Sequence, residues 1–486
     1  MEADLRWSGY PGPLRSALGW LRSLSAEGRD AFLYGVSALF AAVTAVAMGI
    51  PLYRQWGQMA VGPYAAAAVL MAVVARRRAV RDRTGTEGTG GGPASGRWRL
   101  IARLVAFAIV LFGATVVPLA IEVVWASEGN AAQHVQPEVL VVERAGIRAA
   151  HGRDPYQVVD RNGHILIRQS AIPVYELYYP YLPGMVVFGF SSGSKVEARL
   201  TDARIQFLLF TVIVTCVALS RVRPRSDAWF RSLQALTVLP TAALPLATGG
   251  DDMPVVALML LGLVALQRRR PVLAGLALGA ASTLKFTAWP VVFLAVLAAS
   301  DLHRRRATGR YVLAVLAVVV PVVVPVALHN PSAFVDNVVR FPLGLAGVAS
   351  PAASALPGHI LVSAFPGIHK AYVAVVAVVG LAVLGWYLHR KPPRTAAAAA
   401  SLTGWVMLVA ILVAPATRVG YLLYPINLFL WAWMFRRADD PADEEVPSGA
   451  DGGDEAQLPS GVSYTSTEYG VVPAEVAGET TTPVSQ

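Results

Sequence analysis

Apolar runs long enough to cross a membrane recur along this chain and constrain its fold more than any other feature. A helix needs roughly 20 mostly apolar residues to cross the hydrocarbon core of a bilayer, and runs near that length recur between residues 31 and 435. Of the 486 residues, 55% are hydrophobic and only 15% are charged, whereas soluble domains carry about 25% charged residues. The sequence therefore predicts an all-α integral membrane protein.

The positions of the charged residues predict which parts of the chain face the cytoplasm. The formal net charge is +10, although residues 438–486 hold eleven acidic residues and no Lys or Arg. The basic residues stand in short clusters between apolar runs, such as RRR at 76–78 and RRRP at 268–271. Such clusters favour the cytoplasmic side of a membrane. They predict a plasma-membrane protein with cytoplasmic termini, and no nucleic-acid partner.

About twelve transmembrane helices follow when every basic cluster is kept on the cytoplasmic side. Residues 272–299 are divided into two short helices that meet at Lys285 near the outer face, because basic clusters both precede and follow them. The predicted spans are 31–52, 58–75, 100–124, 204–220, 232–248, 254–267, the two helices of 272–299, 311–328, 371–388, 396–414 and 419–435.

Three further segments flank or interrupt the transmembrane domain, which is predicted at 31–437. Residues 1–30 and the basic, Gly-rich linker at 76–99 are predicted to be cytoplasmic. Residues 438–486 are acidic and poor in bulky apolar side chains, which predicts a disordered cytoplasmic tail. The single cysteine, Cys216, excludes an internal disulfide and a cysteine-based metal site.

Two long loops are predicted on the outer face, at 126–203 and 329–370. The first holds the longest polar stretch of the transmembrane domain. Within it, a proline at a first helical position and an acid in the first turn predict a helix over 137–150. RNGH at 161–164 predicts a hairpin turn between short strands. The aromatic stretch at 178–190 is too short to cross a bilayer and predicts a re-entrant or interfacial segment.

This topology places the notable polar residues on the outer face. Carboxylates and cations gathered at one membrane surface suit group transfer from a lipid phosphate. A carboxylate takes the proton of an acceptor hydroxyl, and cations stabilise the departing phosphate. The histidines lack metal-ligand spacing, so no metal or other cofactor is predicted, although a divalent ion on the acidic pair stays open. The candidates are Glu138, Glu143, Asp154, Tyr156, Asp251, Asp252, Lys285, Arg340, His359 and Arg418.

Each candidate carboxylate also has a purely structural interpretation. Glu138, near a helix start, could simply complement the helix dipole, and Glu143 could form an ion pair with Arg144 beside it. Asp154 fits a turn residue that bonds its own backbone. The acidic pair at 251–252 could cap the helix that follows it.

The candidate cations have structural interpretations as well. A lysine among apolar residues is costly in a membrane and marks a functional site by default. This favours a functional Lys285 over one that only extends its amine to the interface. Arg340 and Arg418 either anchor in lipid headgroups or contact a lipid phosphate.

Several motifs of the outer face resemble those of a known superfamily. They are G-x-D-P-Y at 152–156, YPYLP at 179–183, GGDD at 249–252 before a span, and the later pair Gly279 and Lys285. Over residues 100–435 the chain resembles the GT-C superfamily of membrane glycosyltransferases. The branch that it resembles most comprises the polyprenyl-phosphate-mannose-dependent mannosyltransferases of the bacterial envelope and their relatives.

The resemblance implies a GT-C-like bundle and an inverting glycosyltransferase whose active site is extracytoplasmic. Members of the branch place a catalytic Asp about sixteen residues before the Asp of G-x-D-P-Y, and that position here holds Glu138. Glu138 is then the base, although its side chain is one methylene longer, with Glu143 and Asp154 as further catalytic candidates. The implied donor is a polyprenyl-phosphate sugar, mannose or arabinose, and the implied acceptor is an envelope glycolipid or glycan.

The remaining candidates divide by role under the same resemblance. Lys285, Arg340 and Arg418 are expected to bind the donor phosphate. The residues expected to contact substrate are Tyr156, Asp251, Asp252 and His359.

Two other functions stay open. A transporter or lipid-carrier flippase fits the helix break at Lys285, but it also predicts paired repeats with interrupted helices, and the sequence shows no matching second half. A non-catalytic partner in an envelope-assembly complex would keep the fold without the active base. The Glu at position 138, in place of Asp, is the feature that fits this partner role.

Overall fold

The computed structural model describes residues 19–20, 23–84, 93–156, 172–193, 198–222, 226–300, 305–348 and 350–439. These residues are mostly helical and form no β-strand, with one isolated parallel bridge between Ala353 and Thr417. The prediction of an all-α membrane protein is confirmed. The predicted hairpin at 161–164 and nearly all of the predicted tail lie outside the described residues.

The α-helices are numbered here in chain order. The first ten are α1 (Ala26–Ala47), α2 (Pro51–Thr84), α3 (Pro93–Val110), α4 (Val117–Trp125), α5 (Ala131–His134), α6 (Pro137–Ala150), α7 (Ala198–Thr201), α8 (Ala203–Ser220), α9 (Asp227–Thr237) and α10 (Pro240–Thr248). The others are α11 (Asp252–Gln267), α12 (Pro271–Leu284), α13 (Trp289–Ser300), α14 (Arg305–His329), α15 (Pro331–Val335), α16 (Pro357–Ala364), α17 (His369–Arg390), α18 (Ala396–Val413) and α19 (Leu423–Asp439).

Shorter helical turns connect several of these helices. The 3-10 turns are Val174–Leu177, Pro183–Gly193, Phe286–Ala288, Pro366–Ile368 and Val419–Leu422. The π-helical turns are Leu111–Val116, Ala126–Asn130 and Asp336–Arg340.

Seven helical stretches of the described chain are long and apolar enough to cross a membrane. They are Ala26–Ala47, Pro51–Arg83, Gly96–Gly129, Ala203–Ser220, Arg306–His329, Pro366–Arg390 and Ala396–Val413. Three shorter apolar helices accompany them, at Asp252–Gln267, Pro271–Leu284 and Phe286–Ser300. The protein is a multi-pass membrane protein, and the total of twelve spans stays a prediction.

The predicted helix break at Lys285 is present. Helix α12 ends at Leu284, Lys285 is extended with φ −152° and ψ 145°, and the chain resumes with the turn Phe286–Ala288 before α13. The carbonyl that the break frees is used, because the amide of Leu182 donates to the Leu284 oxygen at 3.1 Å. The break therefore binds the aromatic stretch of the first outer loop to the bundle.

The predicted single span over 232–248 is wrong. The chain forms two helices there, α9 and α10, which are separated at Val238 and Leu239. Pro240 has no amide N–H, and its ring disfavours helical geometry at the residue before it. Leu239 is accordingly extended, and Pro240 takes the first position of α10, where the missing N–H costs nothing.

Most of the aromatic stretch at 178–190 is packed into the protein, whereas Val187 and Phe190 are exposed. Tyr178, Tyr179 and Tyr181 are buried, and the 3-10 turn Pro183–Gly193 follows them. This turn lies against α6, where Gly146 and Gly189 meet so closely that a Cβ on either would overlap backbone atoms. Irregular backbone is tolerated near a membrane when protein covers it, and close packing on α6 supplies that cover.

A buried ionic network joins α1, α3 and α9. Arg103 Nε lies 2.6 Å from Asp30 Oδ2, and its terminal nitrogen lies 2.9 Å from Asp227 Oδ1. Arg231 also pairs with Asp30, and Gln234 donates to the same carboxylate at 2.9 Å. Charges that are removed from water need such complete pairing, so the network fixes how these three helices meet.

Helix α17 differs from the other candidate spans because none of its residues is buried. Hydrogen bonds hold its first turn. His369 Nε2 bonds the Leu343 carbonyl at 3.0 Å, and the Tyr372 hydroxyl donates to the Val413 carbonyl at 2.7 Å.

Candidate active site

Glu138 lies in the first turn of α6, which is fixed to the end of α10. Gln136 precedes the helix in an extended conformation, and Pro137 takes the first helical position. The Gln136 side-chain amide donates to Thr248 Oγ1 at 2.6 Å, and its backbone amide donates to the Thr248 carbonyl at 3.3 Å. The start of α6 is thereby anchored, and Glu138 is held at a defined position.

Glu138 forms an ion pair with Arg418. Its Oε1 contacts Arg418 NH1, while its Oε2 is buried and has no hydrogen-bond partner. Both side chains retain some solvent contact, with 17% of Glu138 and 29% of Arg418 exposed. One oxygen of the carboxylate is thus free to accept a proton or a hydroxyl hydrogen bond.

Arg418 is held by the segment that precedes the turn Val419–Leu422. The amide of Thr417 donates to the Ala352 carbonyl at 2.8 Å, and the amide of Ser354 donates to the Thr417 carbonyl at 2.9 Å. Burial by itself lowers the pKa of Arg418. The negative charge of Glu138 raises this pKa and outweighs the effect of burial, so the pKa lies above its ordinary value. The guanidinium therefore stays charged.

Lys285 lies in a cluster with the acidic pair. Its Nζ is 3.0 Å from Asp251 Oδ1 and 2.5 Å from Asp252 Oδ1. The Tyr424 hydroxyl donates to Asp252 Oδ1 at 2.6 Å. The Lys285 amine also lies 5.3 Å from the ring centre of Tyr181, within cation–π range. The lysine is thus engaged on several sides.

The GGDD motif explains how the acidic pair is presented. Gly249 ends α10 in the left-handed region with φ 114°, which favours glycine. Asp251 and Asp252 then stand at the start of α11, where the helix dipole favours negative charge. A Cβ on Gly249 would overlap Val139, the residue after Glu138, so the motif and the start of α6 are in direct contact.

Two ion-pair groups, Glu138 with Arg418 and Lys285 with the acidic pair, form one charged site. Burial raises the pKa of Asp251, Lys285 opposes that rise, and the charges of Asp252 and Glu138 add to it. Tyr421 interacts with both Lys285 and Arg418. Burial lowers the pKa of Lys285, but the two aspartates outweigh it and raise the pKa. The site holds three carboxylates and two cations.

Asp251 also presents a free oxygen. Its Oδ1 binds Lys285, while its Oδ2 is buried and has no hydrogen-bond partner. A buried carboxylate oxygen without a donor is energetically costly. It can recover that cost by accepting a hydroxyl hydrogen bond, which is the kind of contact that a sugar offers.

The other candidates of the first outer loop have backbone partners. Glu143 accepts from the amide of Ala203 at 3.0 Å, at the start of α8. Arg144 pairs with Glu176 at 2.7 Å, so it does not bind Glu143 as the sequence predicted. Asp154 accepts from the amide of Tyr156 at 2.9 Å, as expected of a turn residue.

Tyr156 is linked to the aromatic stretch. It is buried, and its hydroxyl donates to the Tyr181 carbonyl at 2.9 Å. Its ring centre lies 5.5 Å from that of Tyr179. Tyr156 therefore supports the backbone behind Tyr181, whose ring faces Lys285.

The candidates of the second outer loop occupy different surroundings. His359 Nδ1 bonds the Pro415 carbonyl at 2.8 Å, three residues before Arg418. Arg340 pairs with Asp336 at 2.5 Å, and its side chain is 57% exposed. His359 therefore supports the Arg418 segment, whereas Arg340 lies in a local pair near the surface.

Three tyrosines of the site were not predicted from the sequence. Tyr181, Tyr421 and Tyr424 surround Lys285 or bond its carboxylates. Tyr424 in turn is 2.6 Å from Thr287 Oγ1, just beyond the helix break. The available signal was the recurrence of tyrosine beside proline in YPYLP and in LLYP, because buried hydroxyls need polar partners.

In the part of the chain that the structure describes, the side chains form no cluster that is typical of a metal site. Those residues contain no group of three or more His, Cys, Asp or Glu side chains that could hold a metal ion.

Comparison with known proteins gives one match. Residues 197–415 match the family model of glycosyltransferase family 87. No curated protein and no solved structure matches the chain. The matched region includes the GGDD motif and Lys285, whereas Glu138 and Arg418 lie outside it. The match supports a glycosyltransferase and leaves the mannosyltransferase branch a prediction.

Proposed function

We propose that this membrane glycosyltransferase transfers a sugar, mannose or arabinose, from a polyprenyl-phosphate donor to an envelope glycolipid or glycan. The reaction takes place on the extracytoplasmic face of the plasma membrane, with inversion at the anomeric carbon. The observation that carries the proposal is the charged site, in which an unpartnered carboxylate oxygen of Glu138 lies beside the guanidinium of Arg418. This arrangement supports a base and a phosphate ligand that act at one site.

Glu138 takes the acceptor hydroxyl proton on Oε2. The acceptor oxygen forms a bond to the anomeric carbon while the bond from that carbon to the phosphate oxygen breaks. The electron pair of the broken bond leaves with the phosphate. Because phosphate is a good leaving group, one base suffices, whereas a glycosidase needs a paired acid.

Arg418 is the foremost phosphate ligand of the three proposed cations. Its planar fork can donate two parallel hydrogen bonds to phosphate oxygens. Lys285 is already paired with two aspartates, and Arg340 is paired with Asp336 in its own helical turn, outside the charged site. The positive charge of Arg418 offsets the negative charge that develops on the leaving oxygen.

The other candidates bind or support the substrate. Asp251 Oδ2 accepts a sugar hydroxyl, and Asp252 is kept in place by Tyr424. Tyr156 and His359 act through the backbone that they hold, beside Tyr181 and the Arg418 segment respectively.

The test is sugar transfer from a panel of radiolabelled polyprenyl-phosphate sugars by purified wild type and Glu138→Gln. The substitution keeps the shape and removes the base, so we expect turnover to fall by at least about a hundredfold. Donor binding and protein level should persist.

The matched control is Glu176→Gln, which removes a carboxylate from another glutamate–arginine pair of the same loop. It should retain turnover. Full activity of Glu138→Gln would refute the base assignment, and a wild type that is inactive with every donor would refute the proposed donor class.

The helix break at Lys285 also fits a transporter, in which interrupted helices bind the substrate. The same donor panel in proteoliposomes separates the two functions. A transporter moves the labelled lipid across the bilayer and leaves its sugar bond intact, whereas a transferase yields labelled acceptor.

A further inference from the structure

The proposed base and the proposed phosphate ligand are bound to each other in this structure. Glu138 Oε1 contacts Arg418 NH1, in a pair that joins the start of α6 to the segment before α19. One terminal nitrogen of the guanidinium that a phosphate requires is therefore engaged by a carboxylate. The carboxylate that must accept a proton is held by a cation.

The other two proposed phosphate ligands are also paired with carboxylates. Lys285 binds Asp251 and Asp252, and Arg340 binds Asp336. All three cations are thus paired with carboxylates among the described residues. A phosphate that enters must displace a carboxylate from at least one of them or share its cation.

Of the two cations of the charged site, Arg418 is the one that can exchange partners at the lower cost. It has one carboxylate partner and a partly exposed side chain, so water can solvate Glu138 when the pair opens. Lys285 is buried between two carboxylates, and its departure would leave both of them unpaired. Arg340 is exposed but pairs within its own helical turn.

The charge balance of the site favours replacement of Glu138 by the phosphate on Arg418 over binding of both anions to Arg418 at once. Glu138, Asp251 and Asp252 already exceed Lys285 and Arg418 by one negative charge. A phosphate that bound Arg418 while Glu138 stayed in place would bring two anions onto one guanidinium. Repulsion between them favours release of the carboxylate.

We propose that Glu138 and the phosphate of the lipid donor compete for Arg418, so that donor binding releases the base. This rests on the proposed function and specifies the order of its steps. Before the donor binds, Arg418 holds Glu138. The donor phosphate takes over the guanidinium, after which both oxygens of Glu138 are available for the acceptor hydroxyl. Activation of the acceptor by a Glu138 that is no longer paired with Arg418 therefore follows donor binding.

The experiment measures equilibrium binding of sugar-free polyprenyl phosphate to the purified full-length protein in nanodiscs. Wild type is compared with Glu138→Gln, Arg418→Gln and the double variant. Competition predicts that Glu138→Gln binds the lipid roughly fivefold more tightly, since its rival for Arg418 has lost its charge. Arg418→Gln should bind at least about tenfold more weakly. The double variant should match Arg418→Gln.

Glu176→Gln is the control for general loss of negative charge. It removes a carboxylate from the same loop without touching Arg418, so its affinity should equal that of wild type. If Glu176→Gln tightens lipid binding as much as Glu138→Gln does, the tighter binding comes from the general loss of negative charge. That result would overturn the proposed competition. Glu138→Ala provides a second variant with the same expected sign if Glu138→Gln folds poorly.

Unchanged or weaker binding by folded Glu138→Gln would overturn the competition. If wild type still transferred sugar in that case, the proposed function would stand without it. If wild type neither bound the lipid phosphate nor transferred sugar from any donor, both proposals would fall.

Discussion

At the scale of single residues, the site is organised by ion pairs between segments that are distant in the sequence. Glu138 meets Arg418, and the acidic pair at 251–252 meets Lys285. All of these residues could be selected from the sequence because charged side chains are rare near apolar runs. Which of these residues pair depends on how the helices pack against each other. Local sequence patterns do not predict this packing.

Lys285→Met tests the lysine cluster at this scale. The substitution leaves Asp251 and Asp252 buried beside each other without a counter-ion, so we expect a loss of about 3–5 kcal/mol in the free energy of unfolding. Thermal unfolding of the purified protein measures it. Adding Asp251→Asn should recover part of the loss by removing one of the unpaired charges.

Lys370→Met is the matched control, because Lys370 is exposed at the start of α17. Its unfolding temperature should stay close to that of wild type. A Lys285→Met variant as stable as this control would contradict the role of the lysine as the counter-ion.

At the scale of helices, proline and charge explain which boundaries the sequence could predict. The break at Lys285 was predictable, because basic clusters on both sides of 272–299 require the chain to turn back. The break before Pro240 was missed, because hydropathy alone made 232–248 look continuous. The proline and the buried polar residues Arg231 and Gln234 were the overlooked signals.

Glu143 links α6 to the start of α8, and its titration makes that link depend on pH. Burial raises its pKa from the ordinary 4.5 to about 7. The folded protein therefore keeps a proton that the unfolded chain has lost between these values. The free energy of unfolding falls as pH rises through this window. Above the window Glu143 is charged in both the folded and the unfolded state, and the loss of stability is complete.

Wild type should therefore lose stability relative to Glu143→Gln, which does not titrate at this position, as pH rises from about 4.5 through about 7. The difference in unfolding free energy should stay below about 3 kcal/mol, since one pKa unit corresponds to about 1.4 kcal/mol. Unfolding temperatures of both proteins across this range measure it. Glu143→Asp keeps a titrating carboxyl and should retain the sign of the wild-type slope. Parallel curves for wild type and Glu143→Gln would contradict the assignment.

At the scale of the whole molecule, the charged site and the Asp30 network stabilise different ends of the bundle. Asp30 lies in the first turns of α1, whereas Tyr53, just beyond the other end of α1, interacts with Glu138 and Arg418. A helix rises 1.5 Å per residue, so the remainder of α1 separates the two by about 25 Å. The network is thus remote from the chemistry.

Asp30→Asn should cost about 3–5 kcal/mol of stability, because Arg103 and Arg231 lose a buried carboxylate. The affinity of the folded protein for polyprenyl phosphate should not change. Asp82→Asn is the control, since Asp82 forms an exposed pair with Arg78 that contributes at most about 1 kcal/mol. A change in lipid affinity at unchanged stability would contradict the structural role of Asp30.

Helix α17 shows where the sequence of this protein is least constrained. None of its residues is buried, and its described side-chain bonds to other segments lie in its first turn. Lipid tails are as apolar as leucine, so one aliphatic residue serves there as well as another. Between Val373 and Leu388 natural variation should be limited by hydropathy and helix propensity alone. Reordering those aliphatic residues should leave a functional protein, whereas the same treatment of the fully packed α11 should not.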